Sequence, residues 1–119
     1  MNFIESAPPD APILVVLVEQ EGCGACEEFH PVFESIAEAY AAEGLPIMRL
    51  EANTPDPTAQ AFMAKHGVRA TPTVLLAPRW AYAVKLEGPQ TPMALKQALD
   101  WANNVHRVGT GQAPRWWQT

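Results

Sequence analysis

Apolar residues run through this chain in two rhythms, and the change falls at its two cysteines. Residues 13–19, ILVVLVE, are a continuous β-branched and leucine run. A run without alternation predicts a strand buried on both faces, as in a parallel sheet. From Cys26 the spacing turns helical. Phe29, Val32, Phe33, Ile36 and Tyr40 recur every three or four residues, while Glu27, Glu28, Glu34 and Glu38 take the other face. Gly44 is placed to end that helix. Pro31 lies inside it, where the missing N–H bends the backbone. Residues 46–52 predict a second strand, 58–66 a helix stopped by Gly67, 73–77 a third strand and 81–87 a fourth. The short link 78–80 predicts an antiparallel hairpin between the last two. Residues 91–104 predict a closing helix with Thr91 as N-cap and Pro92 in its first turn, made amphipathic by Met93, Leu95, Leu99 and Trp101.

This order predicts an α/β fold, a mixed sheet with helices on both faces. The first three strands, joined through helices, would form right-handed crossovers and a parallel part, and the fourth an antiparallel edge. Residues 2–4 predict a very short additional edge strand. Trp80 and Tyr82 are placed over the sheet edge and Trp101 in the core. Residues 1–107 read as one domain. Residues 108–119, VGTGQAPRWWQT, have no period and read as a flexible or partner-docking tail that does not continue the helix. Within it, Trp116 and Trp117 are candidates to dock on a protein partner or back on the sheet edge near Trp80.

Composition narrows the function classes. A chain of 119 residues fits one domain with its own core. A net charge of −5 without any Lys/Arg run argues against nucleic acid as a partner. The longest apolar stretch, 13–18, is too short to span a membrane. The opening MNFIESAPPD has neither the basic start nor the apolar run of a signal peptide, so the expected compartment is the cytoplasm. A permanent structural disulfide is disfavoured there.

The cysteines carry the candidate chemistry. Cys23-Gly24-Ala25-Cys26 lies between the buried strand and the first turn of a helix. Unpaired N–H groups and partial positive charge at a helix start favour a thiolate over a thiol. Two sulfurs one turn apart suit disulfide exchange, one attacking and the other resolving the mixed disulfide. Glu19, Glu21, Glu27 and Glu28 work against the thiolate, so the attacking thiol is expected to be less acidic than that of a strong oxidase. The same glutamates also fit an ordinary solvated face. Two inert buried thiols are the plainer alternative. A metal site would have to combine Cys23, Cys26 and His30 with His66 or His106; no metal is assigned, and His30 reads as an ordinary helix residue.

More of the chain agrees with the redox reading. The Cys23–Cys26 motif, Pro31 in the helix after it, HPVFESIA at 30–37, GVRATPTVLL at 67–76 and Gly88 after the fourth strand together resemble the thioredoxin family over residues 13–104. The resemblance implies a thioredoxin-like mixed sheet with the N-terminal strand and helix shortened. It implies Cys23 as nucleophile and Cys26 as resolving thiol. It implies a cis Thr71–Pro72 bond beside them, proline being the residue for which cis is cheap, with Thr71 offering backbone bonds to an extended substrate strand. It further implies protein disulfides as substrates, a recycling reductase and no cofactor. The chain departs from the family at Gly22, where an aromatic residue is usual, at Ala25, where proline is usual, and at Leu17, where thioredoxins place a buried carboxylate. Glu19, two residues on and so on the same strand face, is the candidate for proton transfer. Arg49 falls near the family's basic residue by the active site. The expected function is thiol–disulfide oxidoreduction. The alternative is a non-enzymatic binding or assembly subunit of a larger complex, since fold does not fix function.

Overall fold

The computed structural model describes residues 10–111. Along them run β1 (Ile13–Glu19), α1 (Gly24–Ala42), β2 (Ile47–Glu51), α2 (Pro57–Lys65), β3 (Thr73–Pro78), β4 (Val84–Glu87) and α3 (Pro92–Gly109). The strands form one sheet in the order β2-β1-β3-β4. β1 runs parallel to β2 and antiparallel to β3, and β3 runs antiparallel to β4. The expected parallel run of three strands is therefore corrected, since only β1 and β2 are parallel. The apolar run of β1 requires cover on both faces, and a central strand of a mixed sheet meets that need as well as a parallel one. Such a run says that a strand is buried and leaves its direction open.

Period-two alternation divides β1 between two layers. Ile13, Val15 and Leu17 share a buried cluster with Phe29, Phe33 and Ala37 of α1 and Leu95, Leu99 and Ala102 of α3. Val16 and Val18 face Ala59 and Met63 of α2, together with Leu75 of β3. Helices α1 and α3 thus cover one face and α2 the other. Among the described residues no helix is long and apolar enough to cross a membrane.

Local chemistry fixes the helix ends. The Asp56 carboxylate accepts the Thr58 N–H at 3.0 Å at the start of α2, and Thr91 Oγ1 accepts the Ala94 N–H at 3.1 Å at the start of α3. Helix α1 continues past Pro31 and stops where Gly44 turns left-handed at φ 98°. There the Leu45 N–H reaches the Tyr40 carbonyl at 3.1 Å and the Gly44 N–H the Ala41 carbonyl at 3.0 Å. This paired closure satisfies carbonyls that the helix end leaves open.

Several placements differ from expectation. The hairpin link runs from 79 to 83, because β4 begins only at Val84. Trp80 and Tyr82 sit exposed in that link, so neither covers the sheet edge as proposed. Trp101 is 43% exposed and not core. It lies two residues past Leu99, about 200° round the helix from the buried stripe. Met93 is exposed too, and the stripe is instead Leu95, Leu99, Ala102 and His106. That stripe carries α3 through Val108 to Gly109, beyond the expected limit. A Cβ on Gly109 would lie 2.4 Å from Pro12 Cβ, so this glycine lets the helix pass the start of the sheet closely. The short strand at 2–4 and the docking of Trp116 and Trp117 lie outside the described residues.

Candidate active site

A tight turn joins the central strand to the motif helix. The Cys23 N–H donates to the Gln20 carbonyl at 3.2 Å, and the Glu51 carboxylate accepts the Glu21 N–H at 3.1 Å, tying the turn to β2. Cys23 is the N-cap of α1 in extended geometry, φ −88° and ψ 111°. Its sulfur accepts the Cys26 N–H at 3.1 Å, where an N-cap oxygen commonly sits. Cys23 and Cys26 are joined as a disulfide with Cα atoms 5.2 Å apart. Cys23 is half-buried and Cys26 buried. The asymmetry follows from helix periodicity. Cys26 begins the inward stripe that Phe29 and Phe33 continue, whereas Cys23 stands at the helix mouth.

The loop before β3 forms the wall facing Cys23. The Thr71–Pro72 bond is cis. The Thr71 carbonyl oxygen lies 3.7 Å from Cys23 Sγ, and Thr71 Oγ1 donates toward the same sulfur at 3.6 Å. The loop is pinned on both sides. The Pro72 carbonyl accepts the Gly88 N–H at 2.8 Å, and Thr73 Oγ1 donates to the Ala70 carbonyl at 2.7 Å. Beyond Thr71 opens a cavity of about 370 Å³ lined by Gln60, Met63, Val68 and Arg69.

Behind the cysteines sits an ionic cluster. Glu19 closes the α1-facing side of β1, and its side chain is only 5% exposed. The carboxylate accepts from Arg49 Nε on β2 and meets His30 Nδ1 of α1 at 3.0 and 3.1 Å. Arg49 is the register partner of Leu17 in the parallel pair, so its stem starts beside that leucine and its head reaches Glu19. His30 Nε2 in turn lies 3.1 Å from Glu34 Oε2. Glu19, Cys26, His30 and Arg49 line one open cavity of about 540 Å³ whose rim includes Glu27 and Glu51.

The fold therefore brings Cys23, Cys26, Thr71 and Pro72 together and sets Glu19 across a shared cavity from Cys26. It also brings in His30, which the sequence reading treated as an ordinary helix residue. The signal was present, since His30 follows Cys26 by four residues and must share its helix face. The other histidines lie elsewhere. His66 caps α2 with its ring against Phe62, centroids 4.6 Å apart, and burial lowers its pKa. His106 is buried on α3, with its pKa likewise lowered by burial. Among the described residues no three His, Cys, Asp or Glu side chains group to hold a metal ion.

Comparison with known proteins bears on this architecture. The family model described as thioredoxin matches residues 2–101. The chain belongs to the thioredoxin family. Solved structures agree in fold. A thioredoxin from Malassezia sympodialis superposes with TM-score 0.63 at 20% identity, covering 78% of this chain and 76% of that one. The oxidised thioredoxin of Plasmodium falciparum gives 0.60 at 19% identity, covering 76% and 81%. A fragment of ERdj5 termed J-Trx1 gives 0.63 at 18% identity, with 81% of this chain matched to 44% of that one. The thioredoxin-family chain thus spans less than half of the ERdj5 fragment and about four fifths of the Plasmodium protein. No curated protein matches it. Against the thioredoxin pattern, the site keeps the motif and the cis-proline loop but carries its buried carboxylate on Glu19, with Leu17 apolar.

Proposed function

We propose that this protein is a dithiol–disulfide oxidoreductase of thioredoxin type, acting on protein disulfides and recycled by a separate reductase. The observation that carries this reading is the placement of Cys23. Its sulfur is half-buried at a helix N-cap, faces the Cys26 N–H, and lies against Thr71 beside the cis proline. Once the disulfide is reduced, that N–H and the helix terminus favour negative charge on Cys23. The Cys23 thiolate attacks one sulfur of a substrate disulfide, and the other sulfur leaves as a thiolate. Cys26 loses its proton to the Glu19 carboxylate across the shared cavity and attacks Cys23 Sγ. The Cys23–Cys26 disulfide forms, and the substrate departs with both its sulfurs reduced. Thr71 supplies backbone groups for an extended substrate strand, and Pro72 shapes the wall behind it. Thiolates, not thiols, carry out each attack.

Reduction of insulin by dithiothreitol tests the reading. The wild-type protein should accelerate it, and Cys23→Ser should abolish the acceleration. If the wild type gives the uncatalysed rate while its disulfide cycles normally in glutathione buffers, turnover is absent and a binding or assembly role takes its place.

A further inference from the structure

The reading above leaves a proton on Glu19, a residue 5% exposed, once per cycle. Of the two side chains bonded to that carboxylate, Arg49 holds its protons permanently and cannot pass one on. His30 can. Its Nδ1 lies 3.0 Å from Glu19 Oε2, and its Nε2 lies 3.1 Å from Glu34 Oε2. Exposure rises along the chain of contacts, from 5% at Glu19 to 34% at His30 and 37% at Glu34. An imidazole with one nitrogen turned to each carboxylate is the side chain best able to take a proton on one atom and release one from the other.

We propose that His30 and Glu34 form a proton path between Glu19 and solvent, an inference that rests on the oxidoreductase reading. At rest the ring carries its proton on Nδ1 and donates it to the ionised Glu19. Cys26–SH gives its proton to Glu19, and the thiolate forms the internal disulfide. Once Glu19 is protonated, exchange with water moves the ring proton from Nδ1 to Nε2, and Glu19 passes its own proton to the freed Nδ1. The Nε2 proton moves to Glu34 and then to water, so one proton leaves Cys26, one enters solvent, and the ring is back in its starting tautomer. In the reducing direction the path runs inward and reprotonates Cys26. Among the described residues, the charged and titratable groups facing the path include Glu19 from β1, Glu21 from the turn after it, Arg49 and Glu51 from β2, and Glu27 and Glu34 from α1.

The test separates proton movement from mere support of Glu19. His30→Asn keeps an N–H near the position of Nδ1 and so holds the carboxylate, but cannot relay. In single-turnover reaction with a peptide disulfide, Cys23 should form the mixed disulfide at close to the wild-type rate. Resolution by Cys26 should slow by about tenfold or more, within the usual range for lost acid–base assistance. Free imidazole should restore resolution in His30→Ala. Glu34→Gln, at the exposed end of the path, should alter the pH profile of resolution without altering mixed-disulfide formation. Resolution in His30→Asn at the wild-type rate across the pH range, or no imidazole rescue in His30→Ala, overturns the proton path alone. Failure of the wild type to form any mixed disulfide overturns the oxidoreductase reading and the path with it.

Discussion

Removing Arg49 tests how the buried carboxylate is held. In Arg49→Met the methionine keeps most of the stem beside Leu17, while Glu19 loses the guanidinium bonded to its carboxylate. Two limits bracket the effect. An exposed ion pair contributes about 0–1 kcal/mol, and breaking a fully buried pair by removing one partner costs about 3–5 kcal/mol. Glu19 is 5% exposed but Arg49 is 49% exposed, and His30 remains on the carboxylate. Water entering the space left by the guanidinium recovers part of the lost solvation, so the expected cost is about 2 kcal/mol. With a urea m-value of about 1–3 kcal/mol per molar, the midpoint falls by roughly 1 M. Urea unfolding of the oxidised protein at neutral pH, followed by circular dichroism, measures this with the disulfide fixed. Lys96→Met is the internal control. It removes the Lys96–Asp100 pair, exposed at both ends, and should change stability by no more than about 0.5 kcal/mol. Adding Glu19→Gln to Arg49→Met should regain part of the loss, since a neutral amide no longer needs the cation. If Arg49→Met and Lys96→Met prove indistinguishable, Glu19 does not depend on Arg49 and the account of the cluster is wrong.

Cys26→Ser should accumulate mixed disulfides through Cys23, seen as protein adducts on non-reducing gels, whereas accumulation in Cys23→Ser would reverse the two roles. Tyr40 is pushed up to about 12 by burial and by its hydrogen bond to Asp100. Below the ordinary tyrosine value of 10 both folded and unfolded states hold that proton, so its contribution to stability is complete there and is lost as pH climbs from 10 toward 12. Tyr40→Phe should therefore flatten the alkaline limb of the stability profile, and an unchanged limb counts against the contact. His106 is lowered by burial, so its contribution is complete above the ordinary value of 6.5 and is lost as pH falls below it. Its buried Nδ1 also has no hydrogen-bond partner. His106→Leu should be neutral or stabilising by up to about 1 kcal/mol at neutral pH and should reduce acid sensitivity, leaving the share due to His66. A loss of more than that in thermal melts would mean that the ring supports packing which leucine cannot replace.

Element types and order were legible because each rests on local chemistry. The β1 run, the α1 stripe and the Thr91 cap each act within a few residues of themselves. Strand direction was not legible, because burial on both faces does not record which way a neighbour runs. The hydrophobic labels given to Trp101 and Met93 misled for a similar reason. An apolar residue on a helix is core only if it falls on the stripe, and His106 holds a place on the stripe that hydropathy would assign to an apolar residue. At the site, Cys23, Cys26, Thr71 and Pro72 could be read from two short motifs. That His30, Arg49 and Glu19 meet depends on three separate elements converging, and only the four-residue step from Cys26 to His30 was visible in one dimension.

That convergence follows from moving a carboxylate along a strand. Two residues advance a β-strand by about 7 Å while keeping the side chain on the same face. Glu19 therefore still looks toward α1, as Leu17 does, but from the last residue of β1, where it lines the open cavity. A carboxylate at Leu17 would lie beside the origin of the Arg49 side chain, whereas one at Glu19 is met by the end of it. The same advance brings the carboxylate level with the second turn of α1, so that a histidine one turn beyond Cys26 can face it. Leucine at 17 then completes the apolar cluster with Phe29 and Phe33 instead of interrupting it with a charge. Relocation thus places the ionisable group nearer to solvent and links it to a second ionisable side chain, and this coupling is what gives His30 a part in the chemistry that its sequence position alone does not announce.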